Sequence, residues 1–275
     1  MASPETDGFV RSFARGLSVI EAMGNGTGSH TVASVAAATQ LPRTVARRIL
    51  LTLTQLGFTV PDGKGFRLTP KILNLSMTYL TSLPFWSLAQ GVLEQLCANL
   101  KESAALSVFD GRDAIYLMRV PSAKVMSLRL GVGSHVPAYS TSPGRVLLAG
   151  QGEPALQQYL NTVELKAYTP RTLTTESALR QSLAAVREQG FAWVDGEFDA
   201  SFCGLSVPIR DDNGEVAAAL SVNLLSGETS ESKAMKTLIS PMREAAERLR
   251  AMAPSFLGSV ALSTSRQPAR ELAWP

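Results

Sequence analysis

Three arginines stand within one short, otherwise apolar stretch, LPRTVARRILLTL. Arg43 and Arg47 are spaced one helical turn apart, and Arg48 follows directly. The sequence has no aspartate or glutamate between Glu21 and Asp62, so no neighbouring carboxylate neutralises these guanidinium groups. Ordinary surface helices mix charges of both signs. Unneutralised positive charge of this density therefore indicates an anionic partner.

A helix through this stretch predicts the chemistry of that partner. Helical spacing places Ala46, Ile49, Leu50 and Leu53 on one inward stripe, with the arginines on the outer side. The major groove of DNA admits one helix, where arginine can bond guanine and a small side chain can contact a thymine methyl. The side chains expected near bases are Arg43, Thr44, Arg47 and, as a methyl contact, Val45. Those expected near phosphates are Arg48, Lys64, Arg67 and Lys71. The alternative is a basic surface helix with no nucleic-acid role.

The neighbouring elements follow the order of a winged helix-turn-helix. A first helix is predicted over 12–23, with Ser12 as its cap and Phe13, Leu17, Ile20 and Met23 on its inner face. Thr31 is expected to cap a second helix, VASVAAATQ, and Pro42 suits the first position of a third helix. The turn DGKG then joins two short strands. GNGTGSH is predicted to be a loop, because it follows a helix and lacks the last glycine of a dinucleotide motif.

The rest of the chain alternates between strand and helix patterns. Helices are predicted over 70–82 and 85–101, after Ser142 as a cap, after Thr175, and over 229–252 with an interruption at Pro241. Strands are predicted at ALSVF, AIYLMRV, VMSLRLG, FAWVD, GLSVPIR and EVAAALSVNLL, with hairpin turns at DGRD and DDNG. Consecutive hairpins favour an antiparallel sheet. The predicted fold class is α+β.

Composition excludes several classes of protein. The chain has 275 residues, of which 45% are hydrophobic and 18% charged, so it can bury ordinary cores. It has no signal-peptide pattern and no apolar run long enough for a membrane helix. Residues 1–71 hold eight Lys and Arg against four Asp and Glu, whereas the remainder holds 18 against 19. A cytoplasmic protein with a small polyanion-binding module is therefore expected.

Enzymatic chemistry has little support in the sequence. Two histidines, His30 and His135, give scant material for acid–base or metal catalysis, and neither cysteine belongs to a metal-binding motif. GxSxG, P-loop, HExxH and CxxC motifs are absent. Asp195 and Glu197 could pair as in a hydrolase, but alternate positions do not indicate that they face each other. We expect no catalytic residues, no cofactor and no metal.

The sequence resembles the IclR family of bacterial transcription regulators over roughly residues 9–255. The resemblance rests on FVRSFARGLSVIEAM, LPRTVARRILLTLTQLGF and FRLTPKILNLSMTYL, and then on VPAYSTSPGRVLLAG, YTPRTLTTESALRQSLAAVREQGFAWVDGE and GLSVPIRDDNGEVAAALSVN. The first two segments are most similar to the branch that regulates protocatechuate, 4-hydroxybenzoate and terephthalate catabolism. Relatives commonly have LPRATVRR where this chain has LPRTVARR. Either Thr44 or Val45 can therefore be the residue that faces the groove.

The resemblance implies a domain order and an assembly. A winged helix-turn-helix over 9–69 precedes a linker helix over 70–84 and a GAF-like effector domain over 85–257, whose antiparallel sheet is flanked by helices. Residues 1–8 and 258–275 are expected to be disordered. The family binds palindromic promoter DNA as a dimer, often paired into a tetramer. The implied effector is a small aromatic carboxylic acid; the alternatives are a short aliphatic acid or a protein partner.

The resemblance also implies the position of the effector pocket. Carried onto this chain, its residues are Ala138, Tyr139, Ser140, Thr141, Ser142, Asp195, Glu197, Cys203, Gly204, Ser221 and Asn223. Free backbone N–H groups around Pro143, Gly144 and Arg145 could hold a carboxylate. Ser221 and Asn223 point to one face of a strand. Plainer roles stay open: Ser142 as a helix cap, Ser221 bonded to a carbonyl, and Cys203 as a packed side chain.

Overall fold

The computed structural model describes residues 9–24, 28–75, 85–122 and 130–252. The chain divides into two compact units, Met1–Leu83 and Pro84–Pro275. The predicted terminal disorder, the second half of the connector helix and most of the VMSLRLG strand lie outside the described residues. Within the described ranges, no helix is long and apolar enough to cross a membrane.

The first unit has the predicted order of helices and strands. Its elements are α1 (Arg11–Gly24), α2 (Val32–Thr39), α3 (Arg43–Gln55), β1 (Thr59–Asp62) and β2 (Gly65–Leu68). A 3-10 turn, Pro70–Ile72, begins the connector, and residues 73–75 continue as helix. This order confirms the winged helix-turn-helix prediction.

Local capping explains where α2 begins and ends. The hydroxyl of Thr31 accepts a hydrogen bond from the Ser34 N–H at 3.1 Å, which satisfies a donor in the first turn. Gln40 closes the helix in the left-handed conformation, with its N–H bonded to the carbonyl of Ala36. Pro42 immediately precedes α3 and cannot extend α2, so the chain turns between the two helices.

The inner face of α1 differs from the prediction. Val19 and Met23 are buried, whereas Phe13 and Leu17 are 67% and 41% exposed. Only the C-terminal half of α1 reaches the small core formed with α2 and α3, so Phe13 and Leu17 lie outside that core. Ser12 is also not a cap, because α1 already begins at Arg11.

The wing is tied to the turn that precedes α2. β1 and β2 pair antiparallel, and Phe66 exchanges two backbone hydrogen bonds of 2.8 Å with His30. Gly65 allows this close approach, since a Cβ there would lie 2.8 Å from the carbonyl oxygen of His30. The hairpin is therefore held against the helix-turn-helix.

The second unit is built on six strands and five helices within its described residues. In chain order they are α4 (Phe85–Leu100), β3 (Ser103–Phe109), β4 (Asp113–Val120), β5 (His135–Pro137), α5 (Ser142–Ala149), α6 (Glu153–Thr162), α7 (Glu176–Gln189), β6 (Ala192–Asp195), β7 (Phe202–Arg210), β8 (Val216–Leu225) and α8 (Glu231–Met252). The sheet order is β5-β4-β3-β8-β7-β6, and every neighbouring pair is antiparallel. The α+β prediction is confirmed.

Helices cover the sheet and fix the position of α5. α5 contacts β3, β4, β7 and β8, and α7 packs against α5. The core beneath them combines small sheet residues such as Ala105 and Ala219 with leucines of α5 and α7. α4 and α8 pack against each other, α4 also against β3 and β4, and α8 against β7 and β8. The start of α5 is consequently held firmly over the sheet.

Three details of the second unit differ from the sequence predictions. Thr141, not Ser142, occupies the cap position of α5, and Ser142 is the first helical residue. α8 continues through Pro241, because buried residues on both sides, Leu238 and Met242, hold the helix against the core despite the missing N–H. α6 was not predicted, although Pro154 and helical spacing of Leu156 and Tyr159 mark it.

Candidate functional site

The recognition helix α3 presents its cations to solvent. Arg43, Thr44, Arg47 and Arg48 are exposed, whereas Val45 is half-buried and packs against the core of the first unit. The inward stripe is as predicted, with Ala46, Leu50 and Leu53 buried. Of the two alternatives for the groove-facing residue, Thr44 is therefore the more accessible.

The remaining predicted DNA contacts occupy two places. Lys64 and Arg67 are exposed in the wing, at its turn and on β2. Lys71 donates a hydrogen bond of 2.8 Å to the carbonyl of Leu56 and lies over the ring of Phe58. Leu56 is at the C-terminal end of α3, about 20 Å along the helix from Arg43 at 1.5 Å per residue. Lys71 thus stabilises the end of α3 remote from the first arginine.

An inner cavity of about 50 Å³ opens beside the start of α5 in the second unit. It is bounded by α5, by the segment after β6 and by the middle strands of the sheet. Seven of the eleven predicted effector residues line it: Ser140, Thr141, Ser142, Glu197, Cys203, Gly204 and Asn223. Residues that the resemblance did not supply also line it, notably Tyr116, Phe198 and Asp199.

Four predicted pocket residues do not line the inner cavity. Ser221 is fully buried and donates a 3.3 Å hydrogen bond to the carbonyl of Ala105, the plainer of its two expected roles. Asp195 accepts hydrogen bonds from Arg171 at 2.8 Å and Ser226 at 2.7 Å. Both side chains are occupied with protein partners.

The other two residues, Ala138 and Tyr139, support the wall of the inner cavity. Ala138 is buried beneath α5, where a Cβ on Gly144 would lie 2.2 Å from its Cα. Tyr139 is buried and its hydroxyl donates to the carbonyl of Lys166 at 2.9 Å, while burial raises its pKa to about 12. These contacts position the 138–140 turn that carries Ser140 into the cavity.

Two buried donors in the inner cavity have no hydrogen-bond partner among the described residues. They are the hydroxyl of Ser140, which is 1% exposed, and the side-chain nitrogen of Asn223. Burial raises the pKa of the Tyr116 phenol, a change that the adjacent Asn223 side chain opposes. Because unpaired buried donors are costly, this cluster is prepared to bond an acceptor.

The start of α5 supplies further donors. Arg145 donates its N–H to the carbonyl of Thr141 at 2.9 Å, and Pro143 has no N–H. Only the N–H groups of Ser142 and Gly144 are therefore suited to an anion, fewer than the sequence suggested. The Ser206 hydroxyl donates to that of Ser142 at 2.8 Å and anchors the first turn on the sheet.

Gly204 makes the close approach of α5 to the sheet possible. A Cβ at this position would lie 2.5 Å from the Ser142 hydroxyl oxygen and 3.6 Å from the Asn223 side-chain oxygen. Any larger residue would therefore fill the cavity floor and push the first turn of α5 outward.

A buried ion pair lies in the cavity wall. Arg145 donates to the Glu197 carboxylate and, at 3.0 Å, to the carbonyl of Tyr139. Burial lowers the pKa of the Arg145 guanidinium, while Glu197 opposes that shift. The Leu173 N–H also donates to Glu197 at 3.3 Å. The pair thus joins α5, the 138–140 turn and the loop after β6.

The inner cavity holds no available cation. No lysine, arginine or histidine is among the described residues that line it, and its acids are Glu197 and Asp199. Burial raises the pKa of the Cys203 thiol to about 12, so the thiol stays protonated and supplies no reactive thiolate. In the described ranges no cluster of His, Cys, Asp and Glu is arranged to hold a metal. Among the described lining residues, the hydrogen-bond donors open to an anion are therefore neutral.

Comparison with known protein families decides the identity of the chain. The model of the bacterial transcriptional regulator IclR C-terminal domain matches residues 77–251, and that of the IclR helix-turn-helix domain matches residues 12–63. The chain belongs to the IclR family. It is therefore a ligand-responsive transcription regulator, with an N-terminal DNA-binding domain and a C-terminal effector domain.

Relatives place this IclR-family chain near regulators of aromatic catabolism. It is 38% identical to the Pca regulon regulatory protein of Pseudomonas putida, across 82% of this chain and 78% of that protein. It is 31% identical to the p-hydroxybenzoate hydroxylase transcriptional activator of Acinetobacter baylyi, across 78% and 81%. Both relatives are named as regulators and neither as an enzyme, in agreement with the sequence expectation.

Solved structures of IclR-family proteins agree with the fold. A transcriptional regulator from Rhodococcus is 36% identical, with a TM-score of 0.76 over 92% of this chain and 100% of that one. An IclR homolog from Microbacterium hydrocarbonoxydans, complexed with 4-hydroxybenzoate, is 25% identical, with a TM-score of 0.74 over 88% and 98%.

Proposed function

We propose that this cytoplasmic IclR-family regulator binds a palindromic promoter site as a dimer or tetramer and responds to a small aromatic carboxylic acid. It would thereby control an aromatic catabolic operon. The observation that carries the proposal is the inner cavity, where Ser140 and Asn223 offer buried donors without partners among the described residues. The resemblance to regulators of aromatic catabolism supplies the ligand class.

The DNA-binding part of the proposal uses the exposed face of α3. Arg43, Thr44 and Arg47 approach base edges, since residues near the start of a recognition helix reach into the major groove. Arg48 and the wing cations Lys64 and Arg67 approach phosphates. Lys71 can do so as well, provided that it releases the carbonyl of Leu56 and bonds a phosphate instead. Val45 contributes through its exposed edge only.

The ligand is held in this proposal by neutral donors. Its carboxylate bonds the first N–H groups of α5 and the Ser140 hydroxyl, because no lining cation is available. The Asn223 amide and the Tyr116 hydroxyl lie together and bond a second polar atom on the ring. Val136, Val194 and Phe198 supply the apolar wall.

A short aliphatic acid is the second candidate, and the size of the inner cavity favours it. A cavity of about 150 Å³ accommodates benzene in another protein, whereas this one measures about 50 Å³. A ring acid therefore requires a wall to move. Phe198 is half-buried in the wall of the inner cavity and also lines a larger neighbouring cavity. Its side chain therefore has space into which it can move.

A thermal-shift screen separates the two candidates. Benzoate, 4-hydroxybenzoate, protocatechuate and terephthalate are compared with pyruvate, glyoxylate and adipate at matched ionic strength. A ligand at 100 times its dissociation constant stabilises the folded state by about 2.7 kcal/mol. We expect a concentration-dependent rise in Tm with at least one ring acid and none with adipate.

Two other outcomes would redirect the assignment. A rise only with pyruvate or glyoxylate would contradict the aromatic effector and favour the aliphatic one. If no acid raises Tm, the small-acid proposal itself is wrong, and a protein partner becomes the better hypothesis for the second unit.

A further inference from the structure

A second, larger cavity lies on the other side of Phe198. This outer cavity measures about 340 Å³ and is formed by the β3–β4 turn, β5 and the loop after α6. Phe198 lines both the inner and the outer cavity. The outer cavity contains none of the described residues predicted for the effector pocket except Tyr139.

The outer cavity has an aromatic wall. Tyr139 and Tyr168 stack with ring centroids 6.2 Å apart and an interplanar angle of 27°. Phe198 meets Tyr168 edge-on at 5.1 Å. The buried hydroxyl of Tyr139 is fixed by its bond to the carbonyl of Lys166. Three rings held in this way offer a preformed surface for a flat aromatic ligand.

Charged groups surround this wall, and most of them already pair. Lys166 lies 3.2 Å from Glu164, and the Nδ1 of His135 lies 3.4 Å from Asp110 and 3.9 Å from Asp113. Burial and the neighbouring charge of Asp110 raise the pKa of the Asp113 carboxyl. Even with His135 protonated, these pairs set three carboxylates against two cations, so one negative charge remains before Arg112 is counted.

Arg112 is the exception among the cations that line the outer cavity. It is exposed, and its guanidinium has no hydrogen bond or ion pair with another described residue, although Asp113 is near enough to sense its charge. A guanidinium group matches a carboxylate through two parallel hydrogen bonds. The inner cavity, by contrast, has no lining cation among its described residues.

We infer that the outer cavity is a second binding site for an aromatic carboxylate. The ring lies against Tyr139, Tyr168 and Phe198, and the carboxylate faces Arg112. The ligand class rests on the proposed function. The two cavities share Phe198 but none of their described polar lining residues, so variants of those polar residues distinguish the two sites. The volume of the outer cavity suits a ring acid without rearrangement, whereas the inner cavity must expand.

Isothermal titration of the full chain with 4-hydroxybenzoate and with benzoate tests this site. We expect two binding events per protomer in the wild type. Arg112→Gln should weaken one event at least about tenfold, the usual scale for a charge-assisted pair, and leave the other unchanged. Lys236→Gln is the matched control, because Lys236 is an exposed cation on α8 that contacts neither cavity.

A second variant tests whether Arg112→Gln weakens binding through contact with the ligand or only through a long-range change of charge. Tyr168 is 45% exposed, so Tyr168→Ala should fold, and it should weaken the same event by about fivefold through lost ring contact. If neither Arg112→Gln nor Tyr168→Ala weakens any binding event, whether one or two are seen, the outer site is wrong and the proposed function still stands. No binding of either ring acid at any concentration would overturn both.

Discussion

The side-chain nitrogen of Asn223 can donate a hydrogen bond to an anion in the inner cavity, whereas an oxygen at the same place would repel it. This nitrogen is a buried donor without a partner among the described residues, in a cavity that no cation lines. Asn223→Asp replaces that donor with a carboxylate of nearly the same shape. We expect ring-acid affinity, measured by calorimetry, to fall at least about tenfold through like-charge repulsion and the lost bond.

Asn161→Asp is the control for this change, since Asn161 is exposed on α6 and its side-chain oxygen accepts from Gln157. It should leave ligand affinity unaltered. Equal affinity in the wild type and in Asn223→Asp would show that the ring acid does not bind beside Asn223.

Arg47 is the residue on which the DNA-binding assignment depends most. It is exposed on α3, one turn from Arg43, with no acid nearby in the sequence. Arg47→Ala should weaken operator binding by about 1–3 kcal/mol and leave effector binding intact. Fluorescence anisotropy with labelled operator measures the loss, with Lys236→Ala as the control. Unchanged operator affinity in Arg47→Ala would remove α3 from the interface.

At the scale of elements, the seating of α5 on the sheet depends on one glycine. Gly204→Ala places a Cβ 2.5 Å from the Ser142 hydroxyl oxygen, so the first turn of α5 must shift. We expect urea unfolding to show a loss of about 1–3 kcal/mol, typical of overpacking, together with weaker ligand binding.

The contrasting variant is Gly91→Ala on α4, where a Cβ would meet no atom within 4 Å. Alanine in an open helical position should stabilise the protein by about 0.5–1 kcal/mol. If the two variants had the same effect, the close contact at Gly204 would not be what seats α5.

The Arg145–Glu197 pair joins three elements around the inner cavity. Replacing one member alone with a neutral group should destabilise the fold more than replacing both. Glu197→Gln leaves a buried guanidinium without its counter-charge and should destabilise the fold by about 3–5 kcal/mol in urea unfolding. The double variant Arg145→Met with Glu197→Gln should recover part of that loss. Additive losses in the double variant would contradict a coupled pair.

The features that the sequence predicts correctly are those that depend on residues close together in the chain. The cap at Thr31, the DGKG turn of the wing and the unpaired charge of α3 could all be predicted, because each depends on neighbours in the chain. The cap of α5 was misassigned by one residue, since Ser142 instead accepts a hydrogen bond from Ser206 on β7. Such a contact across 64 residues leaves no local signal.

The same limit applies to the cavities. Phe198 lines the inner cavity only because the loop after β6 carries it there, and nothing in its sequence spacing marks it. Phe13 and Leu17 had the correct helical spacing, but whether such a face is buried depends on what packs against it. Residue type predicts which side chains can donate hydrogen bonds to a ligand. The tertiary structure determines which of those donors are left without a protein partner.

At the scale of the whole molecule, effector binding and operator binding are expected to change each other. If an aromatic acid alters operator affinity by some factor, the operator must alter acid affinity by the same factor, and such factors are typically about 5–150. A dimer also predicts that DNA selected by the protein from a random pool contains two inverted half-sites. A selected site with a single half-site would contradict the dimeric arrangement.

The most direct test is the affinity of the wild-type chain for the best ring acid, measured by calorimetry with and without that selected operator. At least about a fivefold difference between the two dissociation constants is expected in the wild type, and Asn223→Asp should weaken acid binding at the inner cavity both with and without DNA. Identical dissociation constants with and without DNA would contradict this coupling, because an acid that binds equally well in both states cannot change operator affinity.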